Sequence, residues 1–308
     1  MSGPVPGVGP QPLPAGVHRP GAFVMLPADV SHIRRKWLDV SYATVSPAQK
    51  LDVFLPAVGE GPFPVVVHLH GGAFAMGDKR DAPLQAWLTG VERGYAVVSV
   101  NYRLSGEAIF PAGIQDVKAA IRWLRANAAA YHLDGDRVAA CGGSSGGNYA
   151  AMICLSADVP ELEDRSLGNP DTPCHVQAGV DLFGPMDFLR MDDQLLAAGL
   201  GPADHQRPDS PESRYLGAPI ASVPDLVRRA NPITYIHPDM PPILIQHGRM
   251  DHLVPVGQSI MFAEALNRGV GRERFEFDIL ETADHADPLF ETPANLARIF
   301  AFLDKHLR

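Results

Sequence analysis

The sequence Cys141-Gly-Gly-Ser-Ser-Gly-Gly-Asn148 lies between a short apolar run that ends at Cys141 and a run of small residues that extends to Leu155. The first run is typical of a buried strand and the second of a helix, so the glycines and serines occupy a tight strand-to-helix turn. A serine at such a turn adopts strained backbone angles, and its close-packed neighbours have to be glycine. The helix N-terminus behind it adds positive potential where an oxyanion would form. The stretch therefore predicts a nucleophilic serine at the end of a sheet strand.

The Gly-x-Ser-x-Gly pattern fits this stretch in two registers. One register makes Ser144 the nucleophile and the other makes it Ser145. We favour Ser144, three residues after Cys141, because the backbone N–H of Ser145 then remains free for an oxyanion hole. A phosphate-binding loop is the competing interpretation, but the stretch lacks the Lys-Ser/Thr ending of such loops.

Apolar runs on both sides of this turn predict the other strands. Residues 64–70 and 95–101 are continuously apolar, which is typical of strands covered on both faces. Residues 49–55 alternate like a half-buried strand, with 37–42 as the antiparallel partner. Three further strands are expected at 181–183, at 243–246 and, near an edge of the sheet, at 275–280.

Helical patterns fall between the strands. Apolar residues recur at helical spacing over 114–126 and again from Leu296 to Leu307. Thr292 and Pro293 supply an N-cap and a first-turn proline for the last helix. Strands that alternate with helices predict an α/β fold, a mostly parallel central sheet with helices on both faces.

Two segments break this alternation. Residues 1–30 contain seven prolines and five glycines, and we expect a flexible arm, either free or lying across the active-site rim. Residues 31–308 would form one domain, in which 186–231 is a lid-like insertion of mixed polarity. Its apolar residues either line an acyl pocket as a short lid helix or pack against the body; they are Phe188, Leu189, Met191, Leu195 and Leu196.

Composition limits the classes of partner. Of 308 residues, 46% are hydrophobic and 20% charged, which is a globular composition, and the net charge of −9 argues against nucleic acid. The apolar runs are too short for a membrane span, which needs about 20 residues. No secretory signal is visible, and the three cysteines lack the paired spacing of a zinc site or disulfide framework. We expect a cytoplasmic protein, with secretion after removal of a leader left open.

A second glycine motif, His70-Gly-Gly-Ala-Phe74, directly follows the predicted strand at 64–70. Glycines at this point let backbone N–H groups turn toward a substrate carbonyl. A plain Gly-Gly turn is the alternative, and the neighbouring serine turn favours the oxyanion-hole interpretation.

A serine nucleophile needs a base, and the base needs an orienting carboxylate. Among twelve histidines, His285 follows the strand at 275–280, and Asp251 follows the strand at 243–246. Both positions are loops at strand C-termini, where open α/β sheets place their sites. Asp284 and Asp287 remain alternatives to Asp251 as the orienting residue.

The other histidines near these motifs have simpler interpretations. His68 and His70 form an H-x-H pair, but the sequence places no third metal ligand, so a core or turn role is favoured over a metal site. His247 and His252 flank Asp251, and we interpret them as packing or solvent-facing groups.

Several motifs between Trp37 and Leu307 occur in one order along the chain. They are Leu51-Asp-Val-Phe-Leu55, His70-Gly-Gly, Val98-Ser-Val-Asn-Tyr-Arg-Leu104, Phe110-Pro-Ala-Gly-Ile-Gln-Asp-Val-Lys118, the serine turn, His247-Gly with Asp251, and His285. Together they resemble the α/β-hydrolase superfamily of serine esterases, in particular the branch of hormone-sensitive-lipase-like and bacterial feruloyl or acetyl esterases.

The resemblance implies Ser144 as nucleophile, His285 as general base and acid, and Asp251 as its orienting carboxylate. It also implies an oxyanion hole made by backbone N–H groups, those of Gly72, Ala73 and Ser145. Ala73 departs from the glycine or aromatic residue that many relatives carry, but it keeps its N–H group.

The implied activity is a serine carboxylesterase for small or medium acyl esters, working through an acyl-enzyme. Its partner would be a small-molecule ester, and no metal or organic cofactor is required. Two alternatives remain: the same triad cleaving an amide, as in an arylformamidase or small-peptide hydrolase, and a non-catalytic hydrolase-like binding protein. The edge strand near Phe275 leaves pairing of two copies into a homodimer open.

Overall fold

An eight-stranded sheet forms the centre of the computed structural model, which describes residues 27–308. In chain order the strands are β1 (Lys36–Ser41), β2 (Lys50–Phe54), β3 (Phe63–Leu69), β4 (Ala96–Val100), β5 (Leu133–Gly143), β6 (Ala178–Leu182), β7 (Ile243–Gly248) and β8 (Phe275–Leu280). Their order in space is β1-β2-β4-β3-β5-β6-β7-β8. β2 pairs antiparallel with β1 and with β4, and all other neighbours are parallel. The predicted mostly parallel sheet is confirmed.

The helices fill the connections between the strands. They are α1 (Leu84–Glu92), α2 (Ala112–Ala126), α3 (Ser145–Ser156), α4 (Met191–Ala198), α5 (Pro211–Leu216), α6 (Pro224–Ala230), α7 (Gly257–Gly269) and α8 (Pro293–Leu307). The sequence patterns identify α2, α3 and α8 but miss α1, α5, α6 and α7. The predicted cap of α8 is confirmed, since the Thr292 side chain accepts from the Asn295 N–H. None of the helices within residues 27–308 combines the length and apolar composition that crossing a bilayer requires.

Helices cover both faces of the sheet, as the continuous apolar runs predict. Val66 of β3 packs in a cluster with apolar residues of α1 and α8, whereas Val65 and Val67 pack with those of α2 and α3. Every residue of β3 and β4 is buried. Two apolar layers therefore sandwich the sheet and hold its strand ends at fixed positions.

The prediction of a half-buried β2 is wrong. Its polar residue Asp52 is fully buried, and its carboxylate accepts from Arg80 at 2.6 and 2.9 Å. The alternation in the sequence thus marks a buried ion pair rather than a solvent-facing side, and burial of a charge requires such a partner.

The insertion between β6 and β7 carries α4, α5 and α6. Phe188, Met191 and Leu195 are buried in it, whereas Leu196 is exposed. These apolar side chains pack against the body, which was one of the two interpretations left open above.

The described residues include only the last part of the predicted N-terminal arm. Of the predicted arm, residues 1–26 lie outside the described residues, while Pro27 forms an isolated bridge with Asp81. β8 occupies the edge of the sheet, as predicted. Pairing of two copies through that edge stays a prediction.

Candidate active site

Ser144 occupies the turn between β5 and α3, in a backbone conformation that side chains rarely adopt, with φ 57° and ψ −125°. The turn is packed so tightly that a Cβ at Gly146 would lie 2.0 Å from the Leu69 carbonyl oxygen. Only glycine fits there, which explains the glycines around the serine. The strained turn lifts the Ser144 hydroxyl out of the sheet toward the loops that follow β7 and β8.

Three side chains from different strand ends meet at this turn. His285 Nε2 lies 3.0 Å from Ser144 Oγ, and His285 Nδ1 lies 2.7 Å from Asp251 Oδ2. The other oxygen of Asp251 accepts the backbone N–H groups of Leu253 and Val254 at 2.9 and 2.8 Å. The histidine ring is therefore held between a hydroxyl and a fixed carboxylate.

The neighbouring carboxylates do not take the place of Asp251. Asp284 contacts the exposed His252 ring at 2.6 Å, and Asp287 caps the following turn by accepting from the Leu289 N–H. Neither is hydrogen-bonded to the ring of His285 within residues 27–308.

His247 is a second histidine beside Asp251, on the same carboxylate oxygen that His285 contacts, and the sequence does not reveal this position. Its Nε2 donates to the Val254 carbonyl at 2.8 Å and lies 3.3 Å from Asp251 Oδ2. Its Nδ1 is 2.6 Å from Ser259 Oγ. Burial alone would raise the pKa of Asp251, but its contacts with His247 and His285 hold that pKa well below its usual range.

Ser145, the alternative nucleophile, points elsewhere. It is 1% exposed, and its hydroxyl has no hydrogen-bond partner among residues 27–308. As the first residue of α3, it leaves its backbone N–H outside the hydrogen bonds of the helix. The geometry therefore matches the register centred on Ser144.

The loop after β3 presses its glycines against the serine turn. A Cβ at Gly71 would lie 3.1 Å from the Gly143 carbonyl oxygen, so the two backbones are in direct contact. Gly72, Ala73 and Phe74 then have φ values of 120°, 53° and 61°. This left-handed run turns the chain sharply, and the N–H groups of Gly72 and Ala73 donate to no other group within residues 27–308.

A cavity of about 350 Å³ opens beside Ser144. The loops at the strand ends line one part of it, through Ala73, Phe74, Leu253 and Val254 among others. The rest comes mainly from the insertion, between Asp204 and Glu212. The apolar residues proposed from sequence as a pocket lining, within 188–196, are not among these: Phe188, Met191 and Leu195 pack into the body, and Leu196 is exposed.

The H-x-H pair is part of the core. His68 is buried with its Nδ1 3.0 Å from Ser99 Oγ, and His70 stacks on Tyr102 with ring centroids 4.4 Å apart. The two rings serve packing and the turn before the glycines, the interpretation that the sequence favours.

Comparison with known proteins identifies the family. The BD-FAE family matches residues 51–266 of this chain. The chain belongs to the BD-FAE family. The matched residues include Ser144 and Asp251 but end before His285. The place of His285 in the site therefore rests on its contacts in this BD-FAE chain, not on the family match.

Two curated relatives come from Mycobacterium tuberculosis. A probable carboxylic ester hydrolase, LipM, is 32% identical over 85% of this chain and 61% of its own length. The esterase LipQ is 34% identical over 74% of this chain and 51% of its own length. The BD-FAE chain thus spans less than two thirds of either relative.

One solved structure matches this chain over nearly the whole length of both proteins. A truncated form of a carbohydrate esterase from gut microbiota is 30% identical with a TM-score of 0.81, covering 91% of this chain and 99% of that one. The α/β-hydrolase fold expected from the motifs is confirmed by this likeness.

Proposed function

We propose that this protein is a serine carboxylesterase that cleaves small or medium acyl esters with Ser144 as nucleophile. The observation that carries the proposal is the continuous contact from Ser144 Oγ through the His285 ring to Asp251, at 3.0 and 2.7 Å. A hydroxyl is a weak nucleophile until a base takes its proton, and this chain of contacts supplies an oriented base. The esterase names of the relatives support the same activity.

In the first step Ser144 attacks the acyl carbon while His285 Nε2 takes the hydroxyl proton. The negative charge that develops on the carbonyl oxygen would be met by backbone N–H groups of Gly72, Ala73 and Ser145. Each such donor contributes about 3 kcal/mol to lowering the barrier. His285 then gives its proton to the departing alcohol, and an acyl-enzyme remains.

In the second step water attacks the acyl-enzyme. His285 takes a proton from the water and returns it to Ser144 as the acid leaves. The carboxylate of Asp251, fixed by the N–H groups of Leu253 and Val254, stabilises the charged ring in both steps. These residues complete the reaction without a metal or organic cofactor.

The test is the hydrolysis of 4-nitrophenyl acetate by Ser144→Ala and by the matched variant Ser145→Ala. We expect Ser144→Ala to lose about 10⁵-fold or more in kcat, because the nucleophile is gone. Ser145→Ala keeps its backbone N–H and should lose far less, about tenfold at most.

Labelling by a fluorophosphonate gives an independent readout. The wild-type protein and Ser145→Ala should become covalently labelled, and Ser144→Ala should not. Ester turnover by folded Ser144→Ala at the wild-type rate would refute the proposal, and so would labelling at a different residue.

We also propose a cytoplasmic location. All three cysteines are buried free thiols, which suits a reducing compartment. Fractionation of the producing cells tests this, and recovery of the protein from the medium or envelope would contradict it.

A further inference from the structure

The loop that follows β3, residues 70–81 and called the oxyanion loop below, ends in a cluster of four charged side chains. Asp39 of β1 and Asp52 of β2 supply the acids, and Lys79 and Arg80 of the loop supply the bases; together they are called the ion-pair cluster. Lys79 Nζ lies 2.8 Å from Asp39 Oδ1 and 3.7 Å from Asp52 Oδ1. Arg80 donates to both oxygens of Asp52, at 2.6 and 2.9 Å, and to Asp39 at 2.7 Å. The two antiparallel strands therefore hold one end of the loop.

β1 is distorted at the point where it contacts the oxyanion loop. Its register with β2 shifts around Asp39, whose φ is 56°. Such a bulge re-aims a side chain, and aspartate is among the few residues that tolerate this backbone region. The Asp39 N–H donates to Asp52 Oδ1 at 2.7 Å, which fixes one acid against the other. Hydrogen bonds from Arg80 and Lys79 lower the pKa of Asp39 to about 2, so this carboxylate is charged at neutral pH.

Inside the oxyanion loop the backbone is folded back on itself. The Met76 N–H donates to the Gly72 carbonyl at 3.0 Å, and a Cβ at Gly72 would lie 2.1 Å from the Met76 carbonyl oxygen. A Cβ at Gly77 would lie 2.4 Å from the Gly71 carbonyl oxygen. Because these contacts join backbone to backbone, a shift of residues 76–80 would displace Gly71 and Gly72 as well.

We propose that the ion-pair cluster positions the oxyanion hole: it holds the oxyanion loop in the shape that presents the N–H groups of Gly72 and Ala73 to the substrate carbonyl. This rests on the esterase activity and the oxyanion hole proposed above. Loss of one acid leaves a base of the loop without its full partner, and the loop then shifts to bring that charge to water. A displacement of about 1 Å at a catalytic group lowers a rate by about 10²-fold, so a small shift is sufficient to be measured.

Asp39→Asn tests the cluster on 4-nitrophenyl acetate. Asp52→Asn would remove a fully buried acid at a large cost in stability, whereas the Asp39 side chain is 47% exposed and asparagine also tolerates its positive φ. We expect kcat of Asp39→Asn to fall about tenfold or more, with KM within about twofold of wild type. The split is expected because the oxyanion hole acts on the transition state rather than on the bound ester.

Glu163→Gln is the matched control, because Glu163 is also a carboxylate between a lysine and an arginine. Arg122 bonds it, and Lys118 Nζ lies 3.8 Å from its Oε2. Lys118 also donates to the carbonyl of the last residue of α3, whereas the proposed nucleophile precedes the first. Glu163→Gln should therefore keep kcat within about twofold of wild type. Urea unfolding of both variants sets the temperature at which each is folded.

Two readouts separate a positioning role from a loss of stability. The first is inhibition by 1,1,1-trifluoroheptan-2-one, a ketone whose adduct with the Ser144 hydroxyl carries an oxyanion. Its inhibition constant should rise about tenfold in Asp39→Asn and stay within about twofold in Glu163→Gln. The second is additivity: Gly72→Ala places a methyl group against the Met76 carbonyl and already displaces the loop. In that background Asp39→Asn should lower kcat further by less than about twofold.

Any one of three results would overturn the proposal: kcat of folded Asp39→Asn within about twofold of wild type, an unchanged inhibition constant, or losses in Asp39→Asn and Gly72→Ala that multiply. Each of them leaves the esterase proposal intact, provided that the wild-type protein hydrolyses the ester and Ser144→Ala does not. Failure of the wild-type protein to hydrolyse the ester would overturn both proposals together.

Discussion

Two regions build the cavity around Ser144, and they differ in how they are tied to the sheet. Ser144 follows directly on β5, and Asp251 and His285 lie in the loops after β7 and β8; β7 is buried throughout, whereas the edge strand β8 is mostly half-buried. The stretch from Asp204 to Glu212 belongs instead to the insertion, and polar contacts hold this stretch even though the helices on either side of it pack into the core. The loops at the strand ends, which carry Ser144, Asp251 and His285, are called the sheet-borne region below. We infer that this region positions the reacting groups, whereas the insertion determines which substrates fit the cavity.

The largest effect in the sheet-borne region, short of replacing the proposed nucleophile Ser144, should come from Asp251→Asn. The amide keeps one oxygen for the N–H groups of Leu253 and Val254 but turns an NH₂ group toward His285 Nδ1, which favours the wrong tautomer of the ring. We expect kcat on 4-nitrophenyl acetate to fall about 10⁴-fold.

The control for this variant is Asp284→Asn, which changes a carboxylate that contacts His252 rather than the ring of His285. Its kcat should fall by less than about tenfold. A larger loss in Asp284→Asn than in Asp251→Asn would reverse the assignment of the orienting carboxylate.

The sheet-borne region is also the part of the molecule that sequence can predict. Ser144, Asp251 and His285 each follow a recognisable strand, and parallel strands bring their C-terminal ends to one edge of the sheet. Two of the glycines around Ser144, Gly142 and Gly146, follow from the close approach of the Leu69 carbonyl. The local sequence pattern and the sheet topology are therefore sufficient to predict that these three residues lie close together.

The features that the sequence does not predict depend on contacts between segments that are far apart in the chain. The role of His247 rests on its contact with the Val254 carbonyl and on a hydroxyl from α7, a helix whose pattern is too weak to predict. The burial of Asp52 depends on Arg80, which comes from a loop after another strand. Likewise the cavity wall at 204–212 is polar and has no periodicity that could distinguish it from a surface loop.

Gly72 in the sheet-borne region and Gly199 in the insertion both have positive φ. A Cβ at Gly72 would lie 2.1 Å from the Met76 carbonyl oxygen, whereas one at Gly199, at the end of α4, meets nothing within 4 Å. Gly72→Ala should therefore displace the loop that carries two of the proposed oxyanion donors and lower kcat by about 10²- to 10³-fold.

Gly199→Ala should cost about 1 kcal/mol of stability, from backbone strain, with little change in kcat. Steady-state kinetics and urea unfolding on both variants measure the two effects. Equal losses of kcat would mean that the insertion shares the catalytic geometry and that the two regions are not distinct.

The smallest effect on rate is expected for Asp192→Asn, within the insertion. The two oxygens of the buried Asp192 accept the N–H groups of His205 and Gln206, at 2.9 and 3.0 Å. An amide has one acceptor where two are needed, so one of the two N–H groups loses its partner, at a cost of about 1–3 kcal/mol in the free energy of unfolding if it is the buried one, that of His205.

Since Ser144 and His285 are positioned by the sheet, kcat of Asp192→Asn on 4-nitrophenyl acetate should fall by less than about tenfold at temperatures where the protein is folded. Asp193→Asn makes the same charge change at the exposed neighbouring position and should leave stability within about 0.5 kcal/mol of wild type. A thousandfold loss of kcat without loss of stability in Asp192→Asn would break the distinction, because polar contacts of the insertion would then be setting the positions of groups that the sheet is expected to hold.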